Sequence, residues 1–416
     1  MTKWHVLGGR PLRGSVRVQG SKNAVLPVIA ASLLCPNETE LINCPHLSDV
    51  DAAVDILRYL GCDAAQEADT LRIDTLTPSR CDIPRELMHK MRSSVLFLGP
   101  MLARFGEARV SVPGGCELGR RPIDLHLKAL EALGAEVFQE DDAIVCHAHG
   151  LRGAEIPLTL PSVGATENAM IAACAAEGKS VIFNAAREPE IETLQEYLRA
   201  LGADVSGAGS PVIRVGGFLP RERAGLRIPP DRIAAATYLA CTLCAGGEIR
   251  LTDVCPDHLQ PVLEAFSRMG CAVSAGHDEI HMAAPLRVKT PGAVVTRPYP
   301  GFPTDAAPLL MAACLRARGS AMFIENIFES RFRHAEEMRA LGADITLRGP
   351  LALVSGVETL RCAALQSPDL RGGAALVAAA LGAQGETCIS DAGHIRRGYD
   401  DLEGRLRSLG AEIWCE

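Results

Sequence analysis

No stretch of about 18 uninterrupted apolar residues occurs in the 416-residue chain, which argues against the usual membrane-spanning helix. The opening segment, Met1 to Leu12, lacks the charged start and apolar centre of a secretion signal, so an unexported, cytoplasmic protein with no membrane partner is expected. Two CxxC units, as a zinc ribbon would need, are also missing. The fifteen cysteines are scattered and odd in number, which argues against a disulfide framework and for a reducing compartment. Long Lys/Arg blocks are absent, and a net charge of −8 leaves no dense positive surface for a phosphate backbone. Nucleic acid is therefore not an expected partner, no obligate protein partner is evident, and any anionic ligand must be held by local arginines.

The chain is 48% hydrophobic, and its length exceeds what one core usually supports, so about two domains are expected. A repeated signature sets their organisation. Leu-Gly or Met-Gly followed by Ala or Cys and a short strand pattern occurs at Gly61, Gly134, Gly202, Gly270, Gly342 and Gly410, 68 to 73 residues apart. Each glycine ends an amphipathic stretch such as DLHLKALEALG, where a residue able to take positive φ closes the helix. Six copies of one unit follow. Every copy also holds a nearly all-apolar segment of small residues, from NAVLPVIAASLL to GGAALVAAALGAQG, which reads as a helix surrounded on all sides. The copies divide into two groups of three, with crossings at the Pro/Arg/Gly-rich stretch 216–232 and near 13–22. Residues 21–229 are expected to form the first domain, and 1–20 with 230–416 the second.

Lys22 with Asn23, Arg92, Gly164, Arg232, Asp305 and Arg371 all fall roughly fourteen residues ahead of the turn that ends their apolar segment. They occupy equivalent positions at helix N-termini, which carry unpaired N–H groups and partial positive charge. Cations there oppose the helix dipole. Read singly they are long side chains reaching solvent; read together, at one register, they describe an anion site. Asp305 by itself also reads as an ordinary acid at a helix start.

The loop SVPGGCELGRRPIDLH, residues 111–126, puts Cys116 after two glycines and before Arg120 and Arg121. Most cysteines are buried small hydrophobes. Nearby arginines would lower this thiol's pKa, and glycines let a ligand approach.

Seven separated motifs are more specific: GSKNAVLP (20–27), PGGCELGRRPIDLH (113–126), SVGATENAM (162–170), NAAREPEI (184–191), YPGFPTDA (299–306), IFESRFRH (327–334) and HIRRGYDDLE (394–403). In order and across the whole chain they resemble the enolpyruvyl transferases, closely the branch acting on UDP-N-acetylglucosamine in peptidoglycan synthesis and more distantly the shikimate-pathway branch.

The resemblance implies an α/β fold, a two-domain inside-out α/β barrel with three similar repeats per domain, helices buried inside and an active site in the interdomain cleft. It implies transfer of the enolpyruvyl group from phosphoenolpyruvate to the sugar 3′-hydroxyl with release of phosphate, using no metal and no cofactor. By the same resemblance Cys116 is the acid toward the methylene carbon and can form an adduct with phosphoenolpyruvate. A cysteine there, where some relatives carry aspartate, matches the fosfomycin-sensitive form. Asp305 is the base near the sugar hydroxyl; Lys22, Arg121 and Arg397 surround the phosphate, with Asn23 beside the lysine. Arg92, Arg331 and Arg371 are the remaining cleft arginines, suited to carboxylate because a planar guanidinium grips two oxygens at once. Arg121, Pro122, Ile123, Asp124 and Leu125 match a uridine-binding strip, Ser162, Val163 and Gly164 a diphosphate-side loop, and Ile327 lies near the sugar nucleotide. Leu160 and Pro161 depart from the family where a lysine is common, as do Ser330 and Arg396, the last reading as surface charge. Rival readings are a paralogue using the same chemistry on another hydroxyl, and a nucleotide sensor that has lost catalysis. Retention of Cys116, Asp305 and Lys22 speaks against the sensor.

Overall fold

The repeat signature becomes a repeated sheet. In a computed structural model that describes residues 2–111, 123–140 and 142–416, there are six four-stranded sheets with one strand arrangement. Each has one parallel pair at its edge followed by two antiparallel pairs, and a buried helix and a surface helix accompany each sheet. The sheet containing Ala293–Val295, Ser320–Ile324, Leu351–Ser355 and Asp344–Arg348, in that spatial order, has all its strands from one contiguous segment. Its first pair is parallel, with Ala293 opposite Met322, and the other two are antiparallel. The six signature glycines all sit at positive φ, between 90° and 107°, directly after a surface helix. A side chain at that angle crowds the following carbonyl, which is why the repeats share glycine there.

The chain forms two compact units, one of residues up to Gln19 together with Pro230–Glu416 and the other of the described residues from Gly20 to Pro229. The sequence reading placed the first crossing one residue later. Strand exchange closes each unit. Arg223–Arg227 pairs parallel with Glu38–Ile42, joining the last strand of its unit to the first repeat. Leu12–Arg17 pairs with Gly247–Thr252, and Trp4–Leu7 lies antiparallel between Glu386–Ser390 and Glu412–Cys415.

Six helices fill the interiors. In the second unit Arg232–Ala245, Ala307–Cys314 and Leu370–Leu381 pack on one another, and Ala374 to Leu381 are at most 1% exposed. Alanine and glycine at these contacts let the axes approach closely, while Leu376 and Leu310 each contribute about 1.5 to 3 kcal/mol by burial. In the first unit Leu98–Phe105 packs on Val163–Cys174, and Lys22–Ala31 is buried against Ser48–Tyr59 and Pro189–Leu201.

Two of the six helices differ from the sequence pattern, which shows unbroken apolar segments. Arg92–Phe97 and Thr304–Ala306 are tight 3-10 turns, and the α-helix proper begins afterwards at Leu98 and Ala307. Pro100 and Pro308 fall in the first turns of the two α-helices, where the missing N–H costs least. Among the described residues no helix is long and apolar enough to cross a membrane.

Candidate functional site

The buried helices start where the sequence register placed the polar residues. Lys22 and Arg232 are the first residues of their helices, Gly164 and Arg371 the second, Arg92 opens its 3-10 turn, and Asp305 is central to another. Cys116, Arg120, Arg121 and Pro122 lie outside the described residues, as does the side chain of Arg92.

In the 20–229 unit, Ser21 caps its helix by accepting from the Ala24 N–H at 3.3 Å, and Lys22 follows directly. Lys22 is 8% exposed, so the solvated reading fails for it. Its Nζ is 2.6 Å from Oδ2 of Asp49, which is 1% exposed and comes from the surface helix Ser48–Tyr59. The carboxylate offsets both the desolvation of the ammonium and its repulsion from the helix dipole. Asn23 is half-buried next to it. Pro27, inside the same helix, has no N–H to offer the Asn23 carbonyl, leaving that oxygen for another donor.

Ser162 caps the helix Val163–Cys174 by accepting from Ala165 N–H at 3.4 Å, and Ser162, Val163 and Gly164 are half-buried. A Cβ on Gly164 would lie 2.9 Å from His126 Cε1, so only glycine allows the loop to pass this ring. Asn168 anchors the surroundings: its Oδ1 accepts from Gly99 N–H at 2.8 Å, and its Nδ2 donates to Val95 O at 2.9 Å and lies 2.7 Å from His126 Nδ1. Of the expected uridine strip, Asp124 is exposed at a helix start and Ile123 is partly buried. Leu125 packs its side chain into the core at 9% exposure.

Three acids the sequence reading passed over, Glu167, Glu188 and Glu190, are 3%, 8% and 5% exposed in this unit. Burial first, then the charges of Glu190 and Glu188, hold the Glu167 carboxyl well above the usual range. A folded-state pKa raised above 4.5 means that the stability present below pH 4.5 is lost as pH rises toward the folded value. Glu167→Gln is therefore expected to raise the melting temperature at neutral pH and to give no gain at pH 4, which thermal denaturation across pH will show.

The other unit gathers the remaining residues around Asp305, whose side chain is 28% exposed. Arg331 places Nη2 2.7 Å from Asp305 Oδ1, and Arg371 places Nε 3.2 Å from Oδ2. Arg331 is 1% exposed; its Nε donates to Thr304 Oγ1 at 3.0 Å, and its guanidinium stacks 4.9 Å from the Phe328 ring. Thr304 in turn donates to Glu325, whose Oε1 also accepts from the N–H groups of Ile327 at 2.8 Å and Phe328 at 3.0 Å. This fixes the turn that presents Ile327, 38% exposed. Arg371, 3% exposed, lies 5.3 Å over Tyr399. Burial works to lower its pKa, but Tyr399, Asp305 and Asp231 override that and leave the guanidinium more firmly charged than usual. Arg397 ends the 3-10 turn Ala392–Arg397 and is half-buried, whereas Arg396 is exposed.

Asp305 therefore does not act as a cap, the reading its position alone suggests. Its two oxygens are held by Arg331 of its own repeat and Arg371 of the next, and a carboxylate with about four acceptor sites can still receive a hydroxyl. Asp49, Glu325 and Tyr399 complete these networks; Asp49 has no sequence signal, Glu325 lies two residues before IFESRFRH, and Tyr399 lies within HIRRGYDDLE. The buried thiols offer no rival nucleophile: burial pushes Cys62 and Cys146 up to about 11, and Cys44 and Cys271 to about 12.

The chain matches the profile of the EPSP synthase (3-phosphoshikimate 1-carboxyvinyltransferase) family over residues 6–406. It is 43% identical to UDP-N-acetylglucosamine 1-carboxyvinyltransferase 2 of Caldanaerobacter subterraneus subsp. tengcongensis, covering 99% of each chain. It is 44% identical to UDP-N-acetylglucosamine 1-carboxyvinyltransferase 1 of Symbiobacterium thermophilum, covering 99% of this chain and 94% of the relative. Among solved structures, the enolpyruvyl transferase NikO from Streptomyces tendae superposes with a TM-score of 0.90 at 25% identity, covering 100% of this chain and 98% of the other. An EPSP synthase from Acinetobacter baumannii shares the fold at a TM-score of 0.78 and 18% identity, over 100% of both chains.

Proposed function

Because the chain belongs to the enolpyruvyl transferase family, among the UDP-N-acetylglucosamine 1-carboxyvinyltransferases, we propose that it moves the enolpyruvyl group of phosphoenolpyruvate to the 3′-hydroxyl of UDP-N-acetylglucosamine and releases phosphate. This is the first committed step of peptidoglycan synthesis, and the protein acts in the cytoplasm. The observation that carries the reading is the carboxylate of Asp305 gripped by Arg331 and Arg371, reached by a chain 43% identical to a transferase of that name over its whole length.

The chemistry is addition followed by elimination. The Cys116 thiol gives its proton to the methylene carbon of phosphoenolpyruvate, C2 develops cationic character, and the sugar oxygen bonds to C2 while Asp305 takes the hydroxyl proton. The adduct then loses phosphate by C–O cleavage and a proton from the new methyl group. Lys22, Arg121 and Arg397 neutralise the phosphate, Lys22 being positioned by Asp49. Arg92, with Arg331 and Arg371 after they have oriented the base, neutralises the carboxylate and the charge of the adduct. Arg121 to Leu125 receive the uridine, Ser162 to Gly164 the diphosphate and Ile327 the sugar nucleotide. Leu160, 65% exposed, supplies no charge to the diphosphate. Cys116 is the expected site of fosfomycin labelling.

The test is phosphate release from phosphoenolpyruvate with each acceptor. Release is expected with UDP-N-acetylglucosamine and not with shikimate 3-phosphate. Release that depends on another hydroxyl would retain the chemistry and replace the substrate, and no release with any acceptor would end the reading.

A further inference from the structure

His334 has no part in the chemistry above, yet it touches both elements that deliver the arginines of Asp305. It is the first residue of the helix His334–Ala340, just after the 3-10 turn Arg331–Arg333, and is 0% exposed. Its Nδ1 lies 3.1 Å from the main-chain oxygen of Arg331. A carbonyl only accepts, so Nδ1 carries the proton and Nε2 presents a lone pair.

On its other side His334 meets the first turn of Leu370–Leu381. A Cβ on Gly372 would lie 2.8 Å from Pro368 Cγ and 3.2 Å from both Asp369 Oδ2 and His334 Cβ, so the bare glycine lets His334 pack closely on this turn. Asp369 Oδ1 accepts from the N–H groups of Arg371 and Gly372, both at 2.9 Å, and so sets where the helix carrying Arg371 begins. Asp369 Oδ2 and His334 Nε2 are both buried without a hydrogen-bond partner among the described residues. A leucine could fill this space without stranding an acceptor, so packing alone does not account for histidine. Burial pushes the imidazole down to about 4, against the pull of Asp369 and with the push of Arg331, which keeps the ring neutral near pH 7.

We infer that His334 is a positioning residue for Asp305: holding the main chain at Arg331 and packing on the Asp369-capped turn behind Arg371, it sets how the two guanidinium groups grip the carboxylate. This rests on the reading of Asp305 as the base. A base displaced by about 1 Å can lose on the order of a hundredfold in rate.

The experiment compares His334→Leu, which removes the N–H, with His334→Asn, whose amide can still donate to the Arg331 carbonyl. With phosphoenolpyruvate and UDP-N-acetylglucosamine, kcat of the leucine variant is expected to fall roughly 10- to 100-fold with both KM values changed less than about threefold, and the asparagine variant to recover most of the loss. Full turnover in the leucine variant, equal losses in both, or kcat and KM changing together overturns the inference. If the leucine variant does not fold, the asparagine variant decides: kcat near the parent supports the role, and a loss of a hundredfold overturns it. Asp305→Ala is assayed alongside. Full turnover there removes the base assignment itself, whereas an inactive Asp305→Ala beside fully active His334 variants removes only this inference.

Discussion

Asp305→Ala is expected to lower phosphate release at saturating substrates by roughly 10²- to 10⁴-fold, the usual contribution of a positioned general base. UDP-N-acetylglucosamine should still bind, because the residues proposed for uridine and diphosphate lie in the other unit. The change also leaves two guanidinium groups, at 1% and 3% exposure, without the carboxylate that both contact. Losing one partner of a buried ion pair commonly costs about 3 to 5 kcal/mol. A melting temperature measured beside the assay separates a lost base from a lost fold. Asp305→Asn helps further, since its amide oxygen can still accept from Arg331. A variant that folds, binds nucleotide and turns over at the parental rate would remove Asp305 as base.

Asp49→Ala should be the most damaging change outside the reacting groups. It takes the carboxylate 2.6 Å from a lysine that is 8% exposed and begins a buried helix, where the dipole already disfavours positive charge. A cost of about 3 to 5 kcal/mol is expected, which in a domain of this size lowers the melting temperature by roughly 10 °C. Affinity for phosphoenolpyruvate should fall with it, because Lys22 loses the group that aims it. The double replacement Lys22→Met with Asp49→Leu is expected to recover most of the stability and none of the activity. If Asp49→Ala melts at the parental temperature and keeps the parental KM for phosphoenolpyruvate, the carboxylate neither stabilises nor aims the lysine.

These two cases show what local sequence carries. Gly61 and its five counterparts were legible as repeat ends because positive φ after a helix selects glycine wherever it occurs. The buried helices were legible because an all-apolar segment has nowhere else to go. Register then located Lys22, Gly164, Asp305 and Arg371, since a helix start is a local property. The partners were not legible. Asp49 follows Lys22 by 27 positions on an ordinary amphipathic helix, and nothing in LSDVDAAVDI marks it as the lysine's counterion. His334 and Glu167 were hidden for a related reason: Glu167 meets Glu188 and Glu190 some twenty residues on, and His334 meets the turn at Asp369 and Gly372 in the next repeat, at separations where propensity is silent. The tight turns at Arg92 and Thr304 were not legible, because the apolar pattern runs unbroken through them and a proline such as Pro27 is tolerated inside another buried helix.

The exchanged strands bear on biosynthesis. The sheet begun at Glu38 cannot be finished until Arg223–Arg227 has left the ribosome, and Trp4, Val6, Leu12 and Val16 must wait for residues translated much later, those at 412–415 among them. For most of translation the nascent chain thus exposes two sticky ribbons at its leading end, a period when holding chaperones would matter and when crowded ribosomes risk coupling one polypeptide to its neighbour.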